Sequence, residues 1–441
     1  MFKQLFSLRS LFLILPISIC YWLLAHTPRE NSSTLLLFFF SSCLLSYFSF
    51  KQSSVNQIFL QGLFFRFLFI GIVPWLSQDF FRFIWDGLLL YNHINPYAYT
   101  PDMLMGMDIL FSTELKEELW RGMGTLSAGH FSNYPPINQM GFLFSVAWFP
   151  EQLVTSIIAM RLLLIAADVG VFLIGKQLLS HWQLPEKRIG WYFLNPLVIV
   201  ELTGNLHWEG VLLFFFALGC WWYVKQKHTL AAFAFALSVA TKLIPLLILP
   251  VFARFQSLKK TALMVAVGSG VLCLLFLPFF WSVGVENYMA TIRLWFKNFE
   301  FNGSFYYIIR WIGYELKGYN IIRQWGEFSP YLIVSLIAFF SFWSKKTNYQ
   351  QLFNGMLLLL NCYYFMSSIV HPWYIIPLVF LSLFSSYSYA VIWSVLVFVS
   401  YVTYAHPSFQ ENFILIGLEY GLVLSVLFYE LNKGRPLLKH F

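Results

Sequence analysis

Charge is scarce in this sequence: Asp, Glu, Lys and Arg make up 11% of its residues, against 59% hydrophobic. An ordinary soluble domain carries roughly 25% charged residues, so a chain of 441 residues with so few charges cannot cover a water-facing surface of normal size. A basic stripe interleaved with polar surface is also missing, which removes nucleic acid as a partner in spite of a formal net charge of +8. Cysteine is sparse and unpatterned. Cys20, Cys43, Cys220, Cys273 and Cys362 all fall in apolar stretches without metal-ligand spacing and read as packing residues. There is no fixed-period repeat and no low-complexity linker, which excludes a solenoid and a string of tethered modules.

What the chain does have is apolar segments, recurring from Leu11 to Tyr429. About 12 to 14 of them approach the length needed to cross roughly 30 Å of hydrocarbon. The fold class is therefore an all-α polytopic membrane protein, read as one membrane domain over residues 1–441. Predicted segments include 57–77, 152–179, 189–204, 208–224, 229–241, 243–253, 373–385 and 387–404. Several are short or broken around Pro245, Pro250 and Pro372, which lipid tolerates only where protein or a water-filled cavity surrounds the backbone. With the N-terminus in the cytoplasm as an uncleaved signal anchor, Lys3, Arg9, Lys51, Lys176, Lys187, Arg188, Lys225, Lys227, Arg254, Lys259, Lys260, Lys345, Lys346, Lys433, Arg435 and Lys439 fall inside. That distribution satisfies the positive-inside rule. Most carboxylates then fall outside, where two long segments stand out at about 77–152 and 282–327. The first carries an aromatic amphipathic stretch from Phe80 to Tyr91, a charged helix near Glu114 to Arg121, and an apolar tail, Ile137 to Phe149, that dips into the outer leaflet and returns.

Asp79 and Asp86 follow the third apolar segment, seven residues apart with Arg82 between them. On a helix lying along the membrane surface both carboxylates face one way. A carboxylate at a partly dry interface has a raised pKa and is a better proton acceptor near neutrality; the alternative is a helix whose Arg82 simply pairs with one of them. Lys242 lies in an apolar run, where an unpaired ammonium costs a few kcal/mol or more. It needs an anionic partner, whether a bound phosphate or a protein carboxylate, unless it reaches the interface. His207 and Glu209, beside Glu201, offer hydrogen bonds to sugar or phosphate; as two ligands without a third they are a weak metal signal, so no metal site is assigned. Arg310 and His371 are secondary phosphate candidates. Trp85, Tyr97, Tyr134 and Trp373 are placed either to stack on a sugar ring or in an interfacial aromatic belt. Arg66, Arg161, Asp168 and Glu419 fall within apolar spans and are expected to face the interior and pair among themselves.

The run Gln78-Asp79-Phe80-Phe81-Arg82-Phe83-Ile84-Trp85-Asp86-Gly87, followed by Asn95-Pro96-Tyr97-Ala98-Tyr99, resembles the first outer loop of bacterial mannosyltransferase-like glycosyltransferases of the GT-C superfamily. Further stretches agree in order: Tyr134-Pro135-Pro136, Asn195-Pro196-Leu197 through Glu201, Gly204-Asn205-Leu206-His207-Trp208-Glu209, Thr241-Lys242-Leu243-Ile244-Pro245, Phe301-Asn302-Gly303-Ser304 and His371-Pro372-Trp373-Tyr374. The resemblance covers roughly residues 57–385. It implies a GT-C-like helical bundle whose large first outer loop carries interfacial helices. It further implies transfer of a sugar, with inversion, from a polyprenyl phosphate to an acceptor hydroxyl on a lipid-linked or glycan acceptor. An acidic residue of that first outer loop serves as base, matching Asp79, with Asp86 second. Gln78 stands where a second acidic residue is common and His207-Trp208-Glu209 where His-x-Asp is usual. No cofactor is firmly implied, a divalent cation remaining open. The competing readings are a transporter or flippase, which needs ionisable groups near the midplane and related halves, and a non-catalytic partner in envelope glycan assembly.

Overall fold

The computed structural model of the protein describes residues 8–107, 111–281, 284–342, 348–406 and 408–438, with side chains from Phe12 onward. Lys3, Lys345, Lys346 and Lys439, counted above among the inward cations, lie outside the described residues, and of Arg9 only the backbone is described. Among the described residues the regular elements are helices, joined by one isolated parallel bridge between Phe301 and Ile369. Lipid accounts for this, because it offers no partner for peptide groups and each spanning segment must satisfy its own.

Five described helices are long and apolar enough to cross a membrane: Ser32–Gln52, Leu153–His181, Leu258–Phe280, Ile322–Phe342 and Phe413–Lys433. A sixth span is broken, with Pro196–Gly204 and Glu209–Val224 meeting at 112°. Shorter apolar helices accompany them, Phe12–His26, His228–Val239, Pro245–Phe255, Pro372–Ser382 and Tyr389–Ala405. The protein is thus an all-helical, multi-pass membrane protein. The expected third span, 57–77, is shorter than the sequence suggests. Its helix, Val55–Phe67, ends where Arg66 is pinned, and tight turns follow, with Phe69 N–H donating to Arg66 O (3.2 Å) and Ile72 N–H to Phe69 O (2.9 Å).

Proline sets many of the starts. Pro101, Pro136, Pro196, Pro245 and Pro372 all stand in the first turn of a helix, where the missing N–H is no loss and the fixed φ is already helical. Each therefore turns the chain sharply from loop into helix, and several of those loops carry the site.

The four charges expected inside the spans, Arg66, Arg161, Asp168 and Glu419, are all engaged. Arg66 Nε donates to Asp168 (2.8 Å), which also accepts from Tyr192 Oη (2.7 Å), while Arg66 Nη1 donates to Gly62 O and Phe193 O. Arg161 holds no carboxylate; it donates to the carbonyls of Thr203 (2.7 Å), Ile70 (2.8 Å) and Gly204 (3.1 Å). Glu419 accepts from Trp393 and Asn302. One of the expected pairings, Arg66 with Asp168, is present; Arg161 instead ties the broken span to the turn after helix Val55–Phe67.

The segment 77–152 has its own small core. Phe80, Phe83, Trp85, Leu88, Leu115, Leu119, Phe142 and Val146 pack together against Ile157, Met160 and Trp208. Two glycines permit the close approach. A Cβ on Gly87 would lie 2.5 Å from the Phe142 carbonyl oxygen, and one on Gly141 would enter the Trp208 ring. Helix Pro136–Val146, 11 residues long, is too short to cross and packs beneath helix Asp79–Tyr91. The second segment and the span before it are bonded onto the first: Asn95 Nδ2 donates to Phe279 O (2.7 Å) at the end of helix Leu258–Phe280, Asn287 Nδ2 to Tyr97 O (2.9 Å) and Thr291 Oγ1 to Phe131 O (3.1 Å).

Candidate active site where helix ends meet

Asp79 is the first residue of helix Asp79–Tyr91, its N–H donating to Ser77 Oγ (3.3 Å). Among the described residues no donor is bonded to its carboxylate. Burial pushes its pKa up to about 6; Lys242 and Arg29 draw it down and Glu209 pushes it further up, so all three charges lie within its field. Asp86, two turns along the same helix, is in the opposite condition. It is fully buried and accepts from Arg82 Nε (2.7 Å), Ser132 Oγ (2.5 Å) and Gln139 Nε2 (2.9 Å). Arg82 Nη1 donates to Ser127 O (2.7 Å) and His130 O (2.9 Å). One helix therefore carries one carboxylate locked into a scaffold and one held ready for a ligand.

Facing Asp79 is the bend of the broken span. The π-helical turn Ile199–Gly204 places Glu201 in the interior, where it accepts from Tyr401 Oη (2.8 Å) and Asn205 Nδ2 (3.0 Å). Leu206 then adopts φ of 65° while fully buried, a conformation that costs a side-chain-bearing residue about 1 kcal/mol and turns His207 back toward Glu201. His207 Nε2 lies 3.5 Å from Glu201 Oε2. Its ring stacks on Trp373 at 3.7 Å, and His371 stacks on Trp373 at 4.4 Å. Glu209, at the start of helix Glu209–Val224, forms an ion pair with Lys242. Lys242, 24% exposed, also lies over the Tyr374 ring at 5.4 Å. Its loop is drawn in by Ile137 N–H, which donates to Ala240 O (3.0 Å) and so joins the Tyr134-Pro135-Pro136 turn to the lysine. His207 Nε2, Glu209 Oε2 and His371 Nδ1 are buried without a bonded protein partner. A half-buried carboxylate, a cation opposite and unsatisfied polar atoms between them describe a place built to receive a polar ligand.

Residues 54–257 match the family model described as alpha-(1->6)-mannopyranosyltransferase, N-terminal domain. That stretch is a mannosyltransferase domain of the GT-C type. The protein is accordingly a membrane glycosyltransferase. No curated protein matches the chain.

The mannosyltransferase domain contains Asp79, Arg82, Asp86, Tyr97, Tyr134, Glu201, His207, Glu209 and Lys242, whereas Arg310 and His371 come from beyond it. His371 is brought in by the parallel bridge, through Phe301 N–H to Ser368 O (2.9 Å) and Val370 N–H to Phe301 O (2.8 Å), with Phe301 packing on the His371 ring at 4.7 Å. Tyr134 and Tyr374 both lie within the field of Asp79. Tyr97 sits deeper: it is fully buried, donates to Tyr134 O (2.5 Å) and is boxed in by Phe279, Phe280 and Tyr288. Trp85 is fully buried, and both faces of Trp373 are covered by histidines. Arg310 belongs to a neighbouring cluster, paired with Glu300 and lying over Tyr307 (4.7 Å) and Phe413 (5.1 Å). Among the described residues no three His, Cys, Asp or Glu side chains come together as metal ligands, because His207 turns to Glu201 while Glu209 turns to Lys242.

Three participants were not singled out in the sequence. Tyr401 holds Glu201, Tyr404 lies in the field of both Asp79 and Glu201, and Arg29 lies over Tyr404 at 4.9 Å. Arg29 left one usable trace: a cation immediately after the first apolar segment, on the side the charge bias assigns to carboxylates.

Proposed function

We propose that the protein transfers mannose from a polyprenyl phosphate donor to an acceptor hydroxyl, with inversion, at the non-cytoplasmic face of the membrane. In this reaction Asp79 takes the proton from the acceptor hydroxyl as its oxygen bonds to the anomeric carbon. The bond from that carbon to the phosphate oxygen breaks, and polyprenyl phosphate leaves with the electron pair. The observation that carries this reading is the Asp79 carboxylate, half-buried, without a bonded donor, and opposite Lys242. A base needs a pKa near working pH and free access to the proton it removes. Lys242 retains two ammonium hydrogens beyond the one given to Glu209, and the leaving phosphate needs such donors. His207 and His371 supply further hydrogen-bonding positions beside it.

Asp86 and Arg82 act in this proposal by holding the helix that presents Asp79, and Tyr97 by holding the Tyr134 turn. Among the described residues His207 and Glu209 diverge and no set of metal ligands is assembled, and in this proposal transfer persists in chelator. The test is incubation of purified protein with a panel of polyprenyl phosphate sugars and nucleotide sugars, with and without EDTA. Transfer from polyprenyl phosphate mannose alone, in both conditions, is the expected result. Transfer from a nucleotide sugar, or from no donor of the panel, would overturn the donor assignment.

A further inference from the structure

The matched domain begins at residue 54, so the N-terminal helical hairpin, Leu8–His26 and Ser32–Gln52, lies before it. The hairpin is nevertheless built into the core. Tyr21 packs on Phe65 (5.4 Å) and Phe69 (5.9 Å), and Phe39 stacks on Phe398 at 3.7 Å. Two of its features reach the site. Leu24 and Ala25 wall one side of a shallow apolar cleft, whose other walls are Phe69, the stretch Ile72 to Leu76 leading to Asp79, and Gly204 with Asn205 of the bend. One turn further along, Arg29 lies over Tyr404, whose ring packs on Tyr401, the residue that bonds Glu201. Its ion-pair partner is Glu30 at 3.5 Å, a side chain 64% exposed, whereas the Lys242 partner Glu209 is almost wholly buried. Arg29 is itself 17% exposed, somewhat less than Lys242, but its pair with a solvent-facing neighbour is the weaker of the two and leaves its guanidinium the freer to take a second anion.

We propose that Arg29 grips the phosphodiester of the lipid-linked sugar, with the tail leaving along the cleft beside Leu24, so that the N-terminal hairpin is part of the active site. An apolar cleft walled by the last turn of the helix that leads to Arg29 suits a hydrocarbon tail, and the planar fork of arginine suits two oxygens of the anionic phosphate it carries. The proposal rests on the transferase reading above and assigns the donor subsite within it. A phospholipid headgroup presents the same chemistry, and the test separates the two.

Steady-state transfer by wild type, Arg29→Gln and Arg29→Lys is measured in uncharged detergent, in phosphatidylcholine nanodiscs and in nanodiscs containing phosphatidylglycerol. Arg29→Gln is expected to raise KM for the polyprenyl phosphate sugar about tenfold or more, as for loss of a charge-assisted contact, in all three settings and with acceptor KM little changed. Arg29→Lys should recover part of the loss. The groups facing Asp79 are Lys242, Glu209, Glu201, Tyr134, Tyr374, Tyr404 and Arg29, so removing the Arg29 charge should also move the acid limb of kcat/KM to higher pH. Unchanged donor KM with an unmoved limb would overturn the proposal, and a KM effect confined to phosphatidylglycerol would give Arg29 to a headgroup. If wild type itself transfers nothing from the donor, it is the transferase reading that fails.

Discussion

At the scale of single residues, Asp79 and Asp86 occupy one helix seven positions apart and have opposite energetics. Asp86 and Arg82 form a buried ion pair in which both carboxylate oxygens are bonded, and removing one charge of such a pair costs about 3–5 kcal/mol. Asp86→Asn should therefore lower the melting temperature of the detergent-solubilised protein markedly. Asp79 has no bonded donor to lose. Its raised pKa means that between about pH 4, the ordinary carboxyl value, and about 6 the folded state holds the proton that the unfolded state has released. Stability contributed by the neutral carboxyl is thus present below that window and lost as pH rises through it. Asp79→Asn removes the titration, so it should melt at or above wild type at neutral pH, with the difference closing in acid. For catalysis the sign is the reverse: a base must be ionised, so kcat/KM should climb as pH rises through about 6 and then level. A rate already flat across that range would place the base elsewhere.

At the scale of elements, the bend between Pro196–Gly204 and Glu209–Val224 is what turns two apolar helices into a site. Arg161 keeps it in place, reaching from helix Leu153–His181 to the carbonyls of Thr203, Gly204 and Ile70. Arg161→Met keeps the bulk and strands those carbonyls, at a cost on the order of 2–4 kcal/mol. We expect a lower melting temperature together with reduced kcat, although Arg161 is not among the groups assigned to donor or acceptor; unchanged melting would mean that the bend is held by other contacts. The sequence made part of this element legible. Pro245, Pro250 and Pro372 announced short or broken helices, and Lys242 in an apolar run announced an anionic partner. Which partner it would be was not legible, because Glu209 meets Lys242 only after two helices fold back on each other. The positive φ of Leu206 carries no sequence mark, since leucine offers no hint of a left-handed turn. The length of helix Val55–Phe67 was overestimated for a related reason: residues 68 to 77 are as apolar as a span but line a cleft instead.

At the scale of the whole molecule, the helices describe a multi-pass membrane protein and the matched domain describes a glycosyltransferase. Overall architecture was legible because lipid admits few alternatives to helices. Placement of Arg29, His371 and Tyr404 was not, because each joins the site from a different region of the chain through tertiary packing that no local pattern records. The proposed sidedness rests on the cations at the opposite helix ends. Glu118 is exposed on the segment that covers the site and Lys227 is exposed on a turn between helices. In a chain freed of its native cysteines, a membrane-impermeant maleimide should label Glu118→Cys in intact cells and Lys227→Cys only after lysis. The inverse pattern would put the site on the cytoplasmic side.

The most direct measurement is kcat/KM for mannose transfer from purified polyprenyl phosphate mannose by the wild type and by Asp79→Asn, with folding checked by melting. The account predicts a loss of about a hundredfold to ten-thousandfold, the range for removing a general base, in a protein that remains folded. Transfer at the wild-type rate by that variant would contradict it.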